Sequence, residues 1–224
     1  MLLMGVKREL GLAQIPVDVI TPDILFKIKS VLSFNKVFDH AFWCACLTAF
    51  FGLLRPGNVT AASTFDPNKD LRRTDLLLCS WGYLLSLRYS KTVQFREKEI
   101  TVCLPRIDNP LCPAKAFDTF LDRTTSADPL GPLFIVDNST CLTYRGFSSK
   151  LHEVLSFAGV PNSNIKGHSF RRGGATWLHR IGIPKDTIKA IGYWSSEAVM
   201  RYIDTDFSHK VHTMTAFGES FTNP

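Results

Sequence analysis

Hydrophobic spacing divides this chain into a helical majority and one short β region. Thr21-Pro22-Asp23 stands ahead of Leu25, Ile28 and Leu32, which share one face at helical spacing. Thr is a strong N-cap, and Pro fits the first turn, where its missing N–H is not needed. A helix from residue 22 is predicted. The next run, 41–54, reads AFWCACLTAFFGLL and is apolar on nearly every side. A helix without a polar face belongs at the centre of a fold. Asp39 is its expected cap. Pro56-Gly57 ends the run or turns the chain, and Arg55 is delivered at its far end.

The pattern then changes period. Residues 75–79, 83–89 and 99–104 are rich in Leu, Tyr, Val and Ile over short lengths, which predicts three strands. The polar stretch 90–98 joins the last two as a hairpin. Helical patterning resumes at Cys112-Pro113 with Phe117, Phe120 and Leu121. Residues 124–132 read as a loop and 133–136 as a short strand or extended segment. Phe147, Leu151, Leu155 and Ala158 give a helix over 144–158, with Gly159 in its C-cap. His168 opens a further helix, 184–191 form another, and 197–202 a short last one. The fold class is therefore mainly α with a small antiparallel β-sheet.

Composition narrows the picture only slightly. The chain has 224 residues, 45% of them hydrophobic, enough for one real core. With 21% charged and 12% aromatic residues it is globular and not disordered. A net charge of +6 and a pI near 9.1 lean weakly toward a polyanionic partner. The most apolar run falls short of the ~20 residues of a membrane span, so no membrane partner is expected. The first eight residues meet charge too soon for a signal peptide. The six cysteines form no C-x-x-C pair and are read as reduced thiols in an intracellular protein, nuclear if its source is eukaryotic. No zinc-ligand spacing is present.

Four elements end in basic or nucleophilic groups: Arg55 after the central helix, Lys91 in the hairpin, His168 with Arg171, and Tyr202 on the last helix. Alone, each has an ordinary use, as a helix-terminal cation, a solvated lysine, a cap or a packed ring. Their order does not. Leu54-Arg55-Pro56-Gly57-Asn58, Tyr89-Ser90-Lys91-Thr92, His168-Ser169-Phe170-Arg171, Gly192-Tyr193-Trp194 and Met200-Arg201-Tyr202-Ile203 together resemble the catalytic domain of the tyrosine recombinases, or phage-type integrases. Phe-Phe-Gly-Leu-Leu-Arg-Pro-Gly, Ser-Lys-Thr and Gly-Tyr-Trp-Ser-Ser are most similar to recombinases of eukaryotic mobile elements of the DIRS, Ngaro or Crypton kind. The resemblance covers about residues 20 to 207. It implies an N-terminal stub or linker over 1–20, a catalytic domain over 21–207 and a tail over 208–224, mobile or docked on a neighbouring subunit. Two positions depart from the family. Asn58 stands where an acid is usual three after the first arginine, and Tyr193 stands where His or Trp is usual.

The resemblance implies DNA breakage and rejoining through a 3′-phosphotyrosyl link. Tyr202 would be the nucleophile. Arg55 and Arg171 would clamp the non-bridging phosphate oxygens, a task for the planar guanidinium fork. Lys91 is the candidate general acid for the leaving 5′ oxygen. His168 would assist deprotonation of Tyr202 or donate to the phosphate. Tyr193 or the neighbouring Trp194 would supply a further donor. Lys166, Arg172, Trp194 and Arg201 are candidate DNA contacts. The guanidinium groups supply the positive charge, so neither metal nor cofactor is implied. The implied partners are double-stranded DNA and further copies of the chain, as a tetramer on DNA. From the resemblance, the family's separate N-terminal clamp domain is expected to be missing here or reduced to a stub, and weak DNA binding by this chain alone is expected with it. Two rival readings remain: a decayed or domesticated non-catalytic DNA-binding relic, and a type IB topoisomerase.

Overall fold

The computed structural model describes residues 18–88, 100–137, 140–161, 164–194 and 214–215. The hairpin with Lys91, the helix predicted at 197–202 with Arg201 and Tyr202, and nearly all of the stub and tail lie outside the described residues. Six α-helices and three strands are described, in the order α1 (Pro22–Val31), α2 (Val37–Phe51), β1 (Leu76–Cys79), β2 (Gly82–Leu87), β3 (Ile100–Pro105), α3 (Pro113–Arg123), α4 (Tyr144–Phe157), α5 (His168–Arg180) and α6 (Lys185–Ile191), with two further helical residues at 214–215.

The predicted starts at Pro22, Pro113, Tyr144 and His168 hold. Thr21 Oγ1 accepts from the Ile24 N–H at 3.3 Å, with Pro22 in the first turn. The Cys112 thiol takes the same part at α3, accepting from the Lys115 N–H ahead of Pro113. Asp39 is a correction. The α2 helix starts two residues earlier, with Lys36 as its N-cap residue. Asp39 lies inside the first turn, buried, where it accepts from the Ser33 N–H at 2.8 Å and pairs with Lys150 at 3.0 Å. A carboxylate three residues into a helix still faces the positive end of the dipole, so the sequence signal for a cap was real but displaced. Burial alone would lower the Lys150 pKa; its bonds to Glu153 and Asp39 outweigh that and raise it.

Every residue of α2 from Asp39 to Phe50 is buried, as its all-round apolarity requires. It packs on α3 and α5 and against β3. The sheet is antiparallel in the order β1-β2-β3, with Leu85 opposite Val102 and Leu87 opposite Ile100 on its buried face. The segment 133–136 forms no strand. It contributes single bridges, Ile135 to Cys141 and, beside it, Pro132 to Arg72, and its Leu133, Phe134 and Ile135 fill the core. A short apolar run marks burial, and only neighbouring ladders decide whether it becomes a strand. All six cysteines are free thiols, four of them buried.

Two glycines set how close α5 lies to the centre. A Cβ on Gly174 would stand 2.3 Å from the Phe50 carbonyl oxygen, and one on Gly173 1.8 Å from that of Ile20. The α5 backbone therefore rests directly on the end of α2 and on the strand-like entry to α1, where the Ile20 N–H bonds the Ser169 carbonyl at 3.0 Å. That close seat carries the first turn of α5 to the residues that follow α2.

Candidate active site

The chain leaves α2 through a reversal. Gly52 is the C-cap, and Leu53 takes a left-handed conformation with φ of 49°. The Leu54 N–H returns to the Ala49 carbonyl at 2.9 Å and the Leu53 N–H to that of Phe50 at 3.4 Å, the paired bonds of a Schellman ending. Arg55 follows in extended conformation, ahead of a 3₁₀ turn over Pro56–Asn58. Asn58 holds that arginine from behind: its Oδ1 accepts from the Arg55 N–H at 3.2 Å, and its own N–H donates to the Arg55 carbonyl at 2.8 Å. A neutral amide thus makes the backbone contact for which a carboxylate is not required.

The start of α5 lies against this turn. A Cβ on Gly167 would sit 2.1 Å from Pro56 Cγ, so only glycine lets the two segments meet. His168, the next residue, comes near both Arg55 and Arg171. Partial burial lowers its pKa below 6.5 first, and the two guanidinium charges lower it further. His168 is exposed, so its imidazole is reachable from solvent beside the two cationic side chains. Lys166 is exposed two residues before it.

Arg171 is the buried member, 6% exposed. One terminal nitrogen donates to the Leu53 carbonyl, and the other to the Gly192 carbonyl at 2.8 Å. Trp194 lies against the guanidinium plane, 3.9 Å from its centre, a cation–π contact in a desolvated place. The guanidinium therefore bridges the C-terminal ends of α2 and α6, where the carbonyl dipoles favour a cation. Each terminal nitrogen carries two hydrogens, so a carbonyl on each leaves the fork geometry in place.

The motif Gly192-Tyr193-Trp194 now has a physical reason for each residue. A Cβ on Gly192 would fall 1.8 Å from the Trp194 ring, so glycine lets the indole fold back onto Arg171. Tyr193 occupies the left-handed position after the C-cap, with φ of 53°. Its N–H bonds the Ala190 carbonyl at 3.1 Å, and the Trp194 N–H bonds that of Lys189 at 3.0 Å, a second Schellman ending. The Tyr193 hydroxyl accepts from the Thr101 N–H at 2.9 Å and donates to the Thr101 carbonyl at 3.0 Å. Arg172 is half-buried on the next position of α5. Thus Arg55, His168, Arg171, Tyr193 and Trp194 are brought together, with Lys166 at the edge, while Lys91, Arg201 and Tyr202 lie outside the described residues. The carbonyls of Leu53 and Gly192 were not legible in the sequence. The Gly173-Gly174 pair after Arg171-Arg172 was the available sign of a close helix seat.

No protein-family model matches the chain, and no curated protein matches it. Solved structures do. XerH site-specific recombinase, in a post-cleavage complex with palindromic difH substrate, superimposes with a TM-score of 0.67 at 14% identity, over 89% of this chain and 52% of that one. XerA recombinase gives 0.64 at 17% identity, over 92% and 65%. The Tn1549 transposon integrase, with circular intermediate DNA, gives 0.55 at 15% identity, over 89% and 65%. The chain spans between about half and two thirds of these proteins' length. Its helix-rich architecture with a three-stranded antiparallel sheet is the fold of tyrosine recombinase catalytic domains.

Proposed function

We propose that the chain is the catalytic domain of a site-specific DNA recombinase or integrase of a mobile element, of the eukaryotic DIRS, Ngaro or Crypton kind. One observation carries this reading: the close seat of Gly167 on Pro56 and the bond from Arg171 to the Leu53 carbonyl set Arg55, His168 and Arg171, far apart in sequence, beside one another. Two cations and an imidazole set side by side suit a phosphodiester. Arg55, whose backbone is fixed by Asn58, and Arg171, fixed between two helix ends, would stabilise the charge that builds on the non-bridging oxygens, a preorganised arrangement that needs no rearrangement during reaction. His168 is positioned to take a proton or share one through its N–H. Tyr202 would attack phosphorus and form the 3′-phosphotyrosyl bond as the P–O5′ bond breaks. Lys91 would protonate the departing 5′ oxygen. Double-stranded DNA is the substrate, and a tetramer on DNA the working assembly. The DNA complexes among the matched structures, difH with XerH and circular intermediate DNA with the Tn1549 integrase, support the choice of partner.

The test is a panel of duplexes nicked beside the candidate cleavage point, so that the short fragment bearing the free 5′ hydroxyl escapes and a covalent adduct accumulates. The adduct should form with the wild-type chain, vanish in Tyr202→Phe, and fall by about 10²–10³ in rate in Arg55→Ala. Persistence in Tyr202→Phe would exclude that nucleophile.

A further inference from the structure

We infer that Tyr193 is a positioning residue that ties the Arg171 cradle to the sheet, and not a donor to the phosphate. The inference rests on the recombinase reading for its catalytic consequence, but the tie itself is geometry.

The hydroxyl has one proton, and it is directed at the Thr101 carbonyl at 3.0 Å; the same oxygen accepts the Thr101 N–H at 2.9 Å. A tyrosine bonded in this way to both backbone groups of one residue imitates a neighbouring strand. It closes the outer edge of β3, the last strand of the sheet, at the second residue of that strand. The Thr101 hydroxyl, 3.4 Å away, adds a third contact. With its proton given to a carbonyl, the phenol has none to offer a phosphate oxygen.

The backbone at Tyr193 points the same way. Left-handed positions favour glycine, and a bulky side chain there is strained unless its surroundings hold it. A glycine would make this turn without strain. The tyrosine side chain reaches β3, while the residue before it, Gly192, gives Arg171 a carbonyl and the residue after it, Trp194, covers the guanidinium. Three consecutive residues therefore join the buried arginine to the strand that follows Lys91 in the chain. The phosphate-donor role that the sequence pattern suggests for this position is then absent, and the arginines and His168 carry the contacts.

Amide hydrogen exchange on the full 224-residue chain, without DNA, tests the tie. In Tyr193→Phe the Thr101 amide should exchange about tenfold faster or more, as an edge amide without its acceptor. Amides at 193 and 194 should follow. Tyr193→Gly, which relaxes the turn and safeguards folding, should accelerate Thr101 equally. Unchanged Thr101 exchange in both variants overturns the proposal whatever the chain does to DNA. The second arm uses the nicked duplexes. Adduct formation should slow between about 10- and 100-fold in Tyr193→Phe, the effect expected of a misplaced group, while affinity for an unrelated duplex and its salt slope stay fixed. Tyr193→His should be equally slow; full activity in that variant would show a donor role and overturn the inference. If the wild-type chain forms no adduct, the recombinase reading fails, and the exchange arm still decides the tie.

Discussion

Four helix ends among the described residues turn the chain through a left-handed residue, and they form two unlike pairs. At α4 and α5 the turning residues are Gly159 and Gly182, with φ of 64° and 86° and open space where a Cβ would go. At α2 and α6 they are Leu53 and Tyr193, the two non-glycine residues with positive φ among those described. The hydrogen bonds of the four endings are alike. The difference lies in what each ending holds. The glycine endings redirect the chain. The other two present the carbonyls that bind Arg171, and their side chains anchor the ending: Leu53 packs with Ala175 and Ile188 between α5 and α6, and Tyr193 bonds β3. Left-handed strain of roughly 1–2 kcal/mol at each is offset by those contacts. Strain collects beside the buried arginine and is absent where a helix only ends.

The comparison breaks most readily at the seat of α5. In Gly174→Val the new side chain meets the Phe50 carbonyl, which is backbone and cannot swing aside. Arg171 would be withdrawn from Leu53. The loss should be on the order of 3 kcal/mol or more, read as a lower urea midpoint. A change below 1 kcal/mol would mean that the helices are not in contact there. Arg171→Met comes next. It leaves two carbonyls without a donor and should destabilise by about 3 kcal/mol. Arg171→Lys should recover only part, because one ammonium cannot span both helix ends.

The unlike pairs separate under reciprocal substitutions. Leu53→Gly removes a buried side chain but relieves the turn. It should therefore lose about 1–3 kcal/mol, less than an ordinary buried leucine truncation. Gly159→Ala adds only strain, in open space, and should lose about 1 kcal/mol. A Leu53→Gly variant no less stable than the wild type would erase the distinction between the pairs.

These positions also mark how far the sequence could be read. Caps and periods placed α1, α3 and α4 because Thr21, Pro113 and Gly159 act locally, through the next turn of chain. The central helix was legible because apolarity on every side has one explanation. Among the described residues, the convergence of Arg55, His168 and Arg171 was expected from their order in a family pattern, and the Gly167–Pro56 contact is what brings the first two together. The employment of Tyr193 was not legible. Its partner is a backbone amide ninety-two residues away, and backbone groups leave no mark in sequence. The same holds for the Leu53 and Gly192 carbonyls. Asp39 shows the intermediate case: an acid at a helix start was visible, but its lysine partner on α4 was not.

The smallest expected effect tests whether Arg55 belongs to the same cradle. The His168 pKa is lowered by partial burial, then by the charges of Arg55 and Arg171. A ring-proton titration by NMR should therefore have its midpoint below 6.5. Arg55→Gln removes one positive charge while leaving the fold of α2 intact, so the midpoint should move up toward the ordinary value. The sign in stability follows from linkage. The folded pKa lies below the unfolded one, so the neutral ring's contribution is fully present above about pH 6.5 and is lost as pH falls through the folded midpoint. Arg55→Gln should make that acid loss smaller, and Arg171→Met should act in the same direction. An unmoved midpoint in Arg55→Gln would place Arg55 away from His168 and leave the site with a single arginine. A shared upward movement in both variants would mean that the two arginines act on one imidazole and add to the lowering that its partial burial already causes.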